Sequence, residues 1–289
     1  MPTTHRPQLV TTVAELRAVL DRVRRGGQRI GLVPTMGALH EGHLSLVQAA
    51  KAEGLFTVVS IYVNPTQFGP QEDLERYPRT LPADMEALAR GGTELVFAPT
   101  NVEMYPAGFD TWVEVGAVSR PLEGQCRPGH FRGVATVVLK LLNLVQPDVA
   151  CFGQKDYQQA LVIRRMVADL NVRVEIRVCP TVREPDGLAL SSRNRYLSPE
   201  ERSRALVLWR SLNLAAEAIA HGQRDAAAIV AEMRALITAV PGTVIDYVAL
   251  VDPETLEPVA RITGTTLAVL AVRVGATRLI DNRLLKIEA

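Results

Sequence analysis

Two histidines flank a glutamate and a glycine in His40-Glu41-Gly42-His43, within the longer run Pro34-Thr35-Met36-Gly37-Ala38-Leu39-His40-Glu41-Gly42-His43. The run follows an apolar, strand-like segment and opens a helical one. A helix N-terminus presents unpaired N–H groups and the positive end of the helix dipole, which suits phosphate. The two imidazoles add donors for phosphoryl oxygens, and Gly42 lets a nucleotide come close. The competing readings are a metal pair and two incidental surface histidines. Against the first, H-E-x-x-H spacing is absent and no third ligand is evident.

Other clusters offer complementary chemistry. In Phe152-Gly153-Gln154-Lys155-Asp156-Tyr157-Gln158-Gln159, Gly153 permits close backbone approach, Lys155 can meet phosphate and Asp156 can accept from ribose hydroxyls. Taken alone, this stretch also reads as an ordinary surface turn. Arg183 to Asn194 holds Ser191, Ser192 and Arg193, two hydroxyls and a guanidinium able to close over triphosphate oxygens. Its serine, asparagine and glycine equally suit a capped linker. Asn64 and Gln67, in Val63-Asn64-Pro65-Thr66-Gln67-Phe68-Gly69, place amides just past a strand end, where a small polar acid could be oriented. Cys126-Arg127-Pro128-Gly129-His130-Phe131-Arg132-Gly133-Val134 is a further cluster. Asn-Pro and Pro-Gly are common turn formers too.

These clusters sit between periodic segments. Thr12-Val13-Ala14-Glu15 is a capping box that starts a helix ended by Gly26-Gly27. Ile30 to Val33 is a short strand expected to stop at Pro34. Helices are predicted over 43–53, 81–90, 134–145 and 157–170, and strands over 57–63, 94–98, 149–152 and 172–178. Strands alternating with helices predict a Rossmann-like parallel sheet with helices on both faces, whose ligands collect at the carboxyl ends of its strands. After residue 181 the texture changes. Ser198-Pro199-Glu200-Glu201 opens a pair of helices over 199–221 and 224–239, and strands follow at 244–251 and 266–272. The expected division is a Rossmann-like domain over 1–181 and a smaller C-terminal α+β domain over 182–289, acting as a lid.

Composition narrows the function classes. Of 289 residues, 47% are apolar and 22% charged, and the formal net charge is +1. That is a globular balance with no general pull toward nucleic acid or a membrane surface. Cys126, Cys151 and Cys179 form no CxxC pair and support neither a disulfide framework nor a zinc site. No hydrophobic signal core stands in Met1 to Val10 and no apolar run has the length of a membrane span. The expected location is the cytoplasm.

The histidine motif resembles the signature of the nucleotidylyl-transferase superfamily. The whole set of segments, PTMGALHEGHLSLV, VNPTQFGPQEDLERYPRTL, RPGHFRGVATVVLKLLNLVQPD, FGQKDYQQ and PTVREPDGLALSSRNRYL, resembles the pantothenate synthetases in matching order. The region beyond residue 200 resembles that family more weakly. Thr66 falls where some relatives carry methionine. The resemblance implies ATP-dependent condensation of pantoate with β-alanine through an acyl-adenylate, with Mg²⁺ and a homodimer. It further implies that His40 and His43 contact ATP phosphates, and that Lys155, Ser191, Ser192 and Arg193 hold the triphosphate. Gly153, Asp156 and Val182 would line the ribose and adenine site. Gln67 and Gln159 would bond pantoate, and Val138 would meet its dimethyl group. Met36 would touch both nucleotide and acid. Asn64, Tyr77 and Arg127 fall on the pantoyl or β-alanine side. Two competing readings are a nucleotidylyltransferase that keeps AMP in its product and a nucleotide-binding module without turnover.

Overall fold

The computed structural model describes residues 6–70 and 72–287. Residues 1–5, part of the polar start read above, lie outside the described residues. The chain forms two compact units. One comprises residues up to Gln154 together with Gln158–Pro180; the other comprises Lys155–Tyr157 and the chain from Thr181 onward.

The first unit holds β1 (Gln8–Val10), α1 (Val13–Arg25), β2 (Ile30–Thr35), α2 (Glu41–Ala52), β3 (Phe56–Ile61), α3 (Leu81–Arg90) and β4 (Leu95–Phe97). It continues with α4 (Asn101–Met104), α5 (Glu123–Cys126), α6 (His130–Val145), β5 (Val149–Gly153), α7 (Tyr157–Asp169) and β6 (Glu175–Cys179). All its strands run parallel, in the order β1-β4-β3-β2-β5-β6. Successive strand residues point to opposite faces, yet Leu32 and Val33, like Val58 and Val59, are all fully buried. Both faces are therefore covered, as the unbroken apolar runs require. The strand order reverses direction between β2 and β5. Ligands of open α/β sheets sit at such a switch point, outside the carboxyl ends of the strands.

Several boundaries differ from the sequence expectation for identifiable reasons. Pro34 does not end β2, which continues to Thr35. Even-numbered β2 residues face β5, as the bond from Asp148 N–H to the Ile30 carbonyl shows, and pairing on that side stops at Leu32. The missing N–H of Pro34 falls where no partner waits. Helix α6 starts at His130 rather than Val134, because Gly129 adopts a left-handed φ of 81° and turns the chain into the helix. The three-residue edge strand β1 was not foreseen.

The second unit contains α8 (Pro199–Ala220), α9 (Ala226–Thr238), β7 (Thr243–Val251), β8 (Thr266–Val274) and β9 (Thr277–Leu285). The three strands form an antiparallel meander in the order β7-β8-β9. Leu208, Leu212 and Ile219 of α8 and Ile229, Met233 and Ile237 of α9 share its core with Ala268, Leu270 and Val272 of β8. Ser198 closes the predicted capping box with Glu201. Strand β9 was not foreseen; its sequence, TRLIDNRLL, hides the alternation behind charged residues. Among the described residues no helix is long and apolar enough to cross a membrane.

Candidate active site

The turn between β2 and α2 is built to hold two imidazoles in a set orientation. His40 is itself the N-cap of α2, with an extended backbone, and its Nδ1 accepts from the Gly42 N–H at 3.2 Å. His43 Nδ1 accepts from the His40 N–H at 3.4 Å. This is a capping box with imidazoles in place of the usual hydroxyl and carboxylate. Both rings use Nδ1 as acceptor, so the hydrogen bonds assign the proton of each neutral ring to Nε2. The ring centroids lie 4.1 Å apart. The helix start thus carries two imidazole N–H donors of matched tautomer beside its own positive dipole end.

A residue that the sequence reading passed over fixes this turn. Asp84 of α3 is 3% exposed. Its carboxylate accepts from the Ala38 N–H at 3.1 Å and the Leu39 N–H at 2.8 Å. The Thr80 hydroxyl, at 3.2 Å from both carboxylate oxygens, adds a third donor. Gly37 (φ 86°) and Ala38 (φ 50°) both occupy the left-handed region, a conformation unfavourable for alanine. Charge-assisted bonds to buried main-chain N–H groups hold the chain there. An acidic residue flanked by Leu81, Met85 and Leu88 on the inward face of a helix was the available signal.

Past the end of β3 the amide pair predicted from sequence comes together. Asn64 Nδ2 donates to Gln67 Oε1 at 3.1 Å and to the Gly133 carbonyl at 3.2 Å. Asn64 Oδ1 accepts from the Thr66 and Tyr105 hydroxyls. Gln67 Oε1 is occupied as an acceptor, and its Nε2 donates to Met36 Sδ at 3.2 Å. Met36, Asn64 and Gln67 are therefore neighbours. Tyr77 is buried and packs edge-on against Phe68. Val138 is buried on α6, and Gln159 is half-buried on α7. The adjacent Gln158 is structural, bonding Glu123 N–H and the Val118 and Pro121 carbonyls.

Arg127 is held by protein groups on several sides. It donates to both oxygens of Glu72 at 2.7 and 2.5 Å, to the Gln67 carbonyl at 3.4 Å and to His130 Nε2 at 3.1 Å. Burial alone would raise the Glu72 pKa, but hydrogen bonding and charge from Arg127 hold it below the usual carboxylate range. His130 Nδ1–H donates to the Gln67 carbonyl at 2.8 Å. Burial first, and then the Arg127 charge, lower the His130 pKa to about 4. A histidine kept neutral in the fold takes up a proton more readily when unfolded. Its stabilising contribution is complete above the unfolded value of roughly 6.5 and is lost as pH falls toward 4. Acidification from pH 7.5 to pH 5 should therefore cost about 2 kcal/mol through this group. Denaturant unfolding at both pH values checks this, with His130→Asn showing a smaller pH dependence. Equal dependence in both proteins would contradict the assignment.

The remaining predicted residues, Gly153 apart, lie in the second unit. Lys155 Nζ is 3.8 Å from Asp156, and the Lys155 carbonyl accepts from Asn282 Nδ2 at 2.8 Å. Residues 182–190 form a small hairpin, with Leu190 N–H bonded to the Val182 carbonyl at 3.0 Å and Glu184 N–H to Leu188 at 2.8 Å. Ser191 caps the short 3₁₀ turn Ser192–Tyr196, its hydroxyl accepting from the Arg193 N–H at 3.3 Å. Ser192 is buried and Arg193 half-buried. The segment is an ordered hairpin followed by a capped turn, and the cap is one the sequence suggested. Gly153 ends β5 in the first unit.

Comparison with known proteins identifies the family. The family model described as pantoate-beta-alanine ligase matches residues 8–284. A pantothenate synthetase of Moorella thermoacetica is 57% identical over 280 residues, covering 97% of this chain and 99% of that protein. The crystal structure of a pantothenate synthetase from Thermus thermophilus superposes with a TM-score of 0.92 at 50% identity, covering 98% of this chain and all of the other. A pantoate-beta-alanine ligase from Francisella tularensis, complexed with beta-gamma ATP and beta-alanine, superposes with a TM-score of 0.81 at 34% identity, covering 96% and 97%. This chain belongs to the pantoate–β-alanine ligase family, the ATP-dependent enzymes that form pantothenate from pantoate and β-alanine.

Proposed function

We propose that the ligation runs through a pantoyl-adenylate formed at the His40–His43 turn. The observation that carries this reading is the imidazole-capped start of α2, where both Nδ1 atoms accept from main-chain N–H groups and so leave Nε2 as the protonated nitrogen of a neutral ring. A pantoate carboxylate oxygen attacks the α-phosphorus of ATP, and the bond to the pyrophosphate oxygen breaks. The amine of β-alanine then attacks the acyl carbon and expels AMP. Both nucleophiles belong to substrates, so the protein's task is positioning and charge stabilisation.

His40 and His43 stabilise charge on the phosphoryl oxygens, while Lys155, Ser191, Ser192 and Arg193 hold the triphosphate. Gly153, Asp156 and Val182 serve the nucleoside. Gln67 and Gln159 bond pantoate, with Met36 and Val138 against its methyl groups and Tyr77 at the pantoyl or β-alanine side. Asn64 and Arg127 act by orienting Gln67 and its loop. Among the described residues no cluster of three His, Cys, Asp or Glu side chains could cage a metal. Mg²⁺ commonly travels on nucleotide phosphates with few protein ligands. The ion accordingly enters as part of the Mg–ATP substrate.

Oxygen-18 in the pantoate carboxylate tests the route. An adenylate delivers one labelled oxygen to AMP. Unlabelled AMP, or label in phosphate, would rule the route out. The second unit acts as a lid that keeps water from the adenylate. Hydrogen exchange of residues 183–193 should slow when ATP is added, and unchanged exchange would contradict a lid. The enzyme works in the cytoplasm as a homodimer. Sedimentation should give twice the 31.5 kDa chain mass, and a single-chain mass would exclude the dimer.

A further inference from the structure

The last strand, which carries none of the residues assigned above, reaches both phosphate-handling segments of the second unit. Asn282 is 3% exposed and donates from Nδ2 to the Lys155 carbonyl at 2.8 Å. Asp281, equally buried, receives both arms of Arg183 at 2.6 and 2.9 Å. Strand β9 is an edge strand, paired only to β8. An edge leaves main-chain groups in need of partners. Here Asn282 N–H donates to Asp281 Oδ1 at 2.7 Å, and the Asn282 carbonyl accepts from Arg183 at 3.3 Å. Arg183 also donates to the Gly187 carbonyl at 3.1 Å and stacks on the Trp209 ring at 3.9 Å. The guanidinium thus covers the sheet edge while fixing the hairpin that leads into Ser191–Arg193.

We infer that Asp281 and Asn282 are positioning residues that set the Lys155 loop and the Arg183 hairpin in one fixed arrangement. The inference rests on the reading that Lys155 holds the triphosphate. The bond to the Lys155 carbonyl satisfies a buried amide, and its effect on the lysine is what separates positioning from stability alone. That bond spans 127 positions of sequence. It pins the main chain of a flexible lysine at its base, so that less freedom is lost when the ammonium group meets phosphate.

The test is a double-mutant cycle read by pantoate-dependent pyrophosphate exchange. Asn282→Leu keeps the side-chain size and removes the donor. It should slow exchange about tenfold, raise KM for ATP, and leave KM for pantoate unchanged. In a Lys155→Ala background the same substitution should change the rate by less than about twofold, because the group it positions is gone. Asn282→Ala serves if the leucine variant does not fold. An equal loss in both backgrounds, or none in either, overturns the positioning role. If Lys155→Ala alone leaves exchange intact, it is the Lys155 assignment that fails.

Discussion

Replacing His43 with alanine should slow pantoyl-adenylate formation by at least about tenfold, more than 1.4 kcal/mol of transition-state stabilisation. The substitution removes two things, the Nε2–H donor proposed to meet phosphate and an Nδ1 acceptor in the cap of α2. Loss of the cap should cost about 1 kcal/mol of stability. Asparagine and glutamine separate these roles. The Asn oxygen sits near the Nδ1 position and can keep the cap, whereas the Gln amide reaches toward the Nε2 position. His43→Asn should remain as stable as the natural protein yet be as slow as His43→Ala, and His43→Gln should recover part of the rate. His40→Asn is the companion case, since asparagine is among the best N-caps. A stable but slow His40→Asn protein is expected from thermal melting and single-turnover assay. Undiminished rates in these variants would remove both imidazoles from the mechanism.

Gly133→Ala should damage the pantoate side as severely, although residue 133 bears no functional group. A Cβ at this position would stand 2.6 Å from the Thr66 carbonyl carbon and 2.8 Å from the Gln67 nitrogen, and closer still to the Thr66 oxygen. These are main-chain atoms, so no side chain can swing aside. Either α6 or the Pro65–Gln67 turn must move, and with it the Asn64–Gln67 amide pair that uses the Gly133 carbonyl as an anchor. Overpacking of this kind costs about 1–3 kcal/mol of stability. A shift near 1 Å at Gln67 should lower kcat/KM for pantoate about 100-fold. ATP binding, measured directly, should change far less. Natural pantoate kinetics in the folded variant would show that Gln67 does not need this register.

Where chemistry follows the backbone period, it was legible in the sequence. The alternation of strands and helices gave the parallel sheet, and the glycine–histidine run was placed at a strand-to-helix junction, where the structure has it. Asn64 and Gln67 were correctly placed just past a strand. Residues that act by reaching across the fold were not legible. Asp84 reads as one more acid on an amphipathic helix until its carboxylate is seen to hold the Ala38 and Leu39 N–H groups. Strand β9 escaped because Arg278, Asp281, Asn282 and Arg283 interrupt its apolar pattern. Each finds a distant partner, respectively Asp246, Arg183, Lys155 and Asn213. Pairing over such separations satisfies buried polar groups without leaving a local trace. For the same reason, the bonds of Arg127 to Glu72, Gln67 and His130 leave no trace in the sequence, where only the family resemblance singles this residue out.

The central claim, activation of pantoate by adenylyl transfer at the His40–His43 turn, is tested most directly by pyrophosphate exchange into ATP with β-alanine left out. Labelled pyrophosphate should enter ATP only when pantoate is present, and the His43→Ala protein should be at least about tenfold slower. Folded protein that shows no pantoate-dependent exchange would contradict the adenylate account.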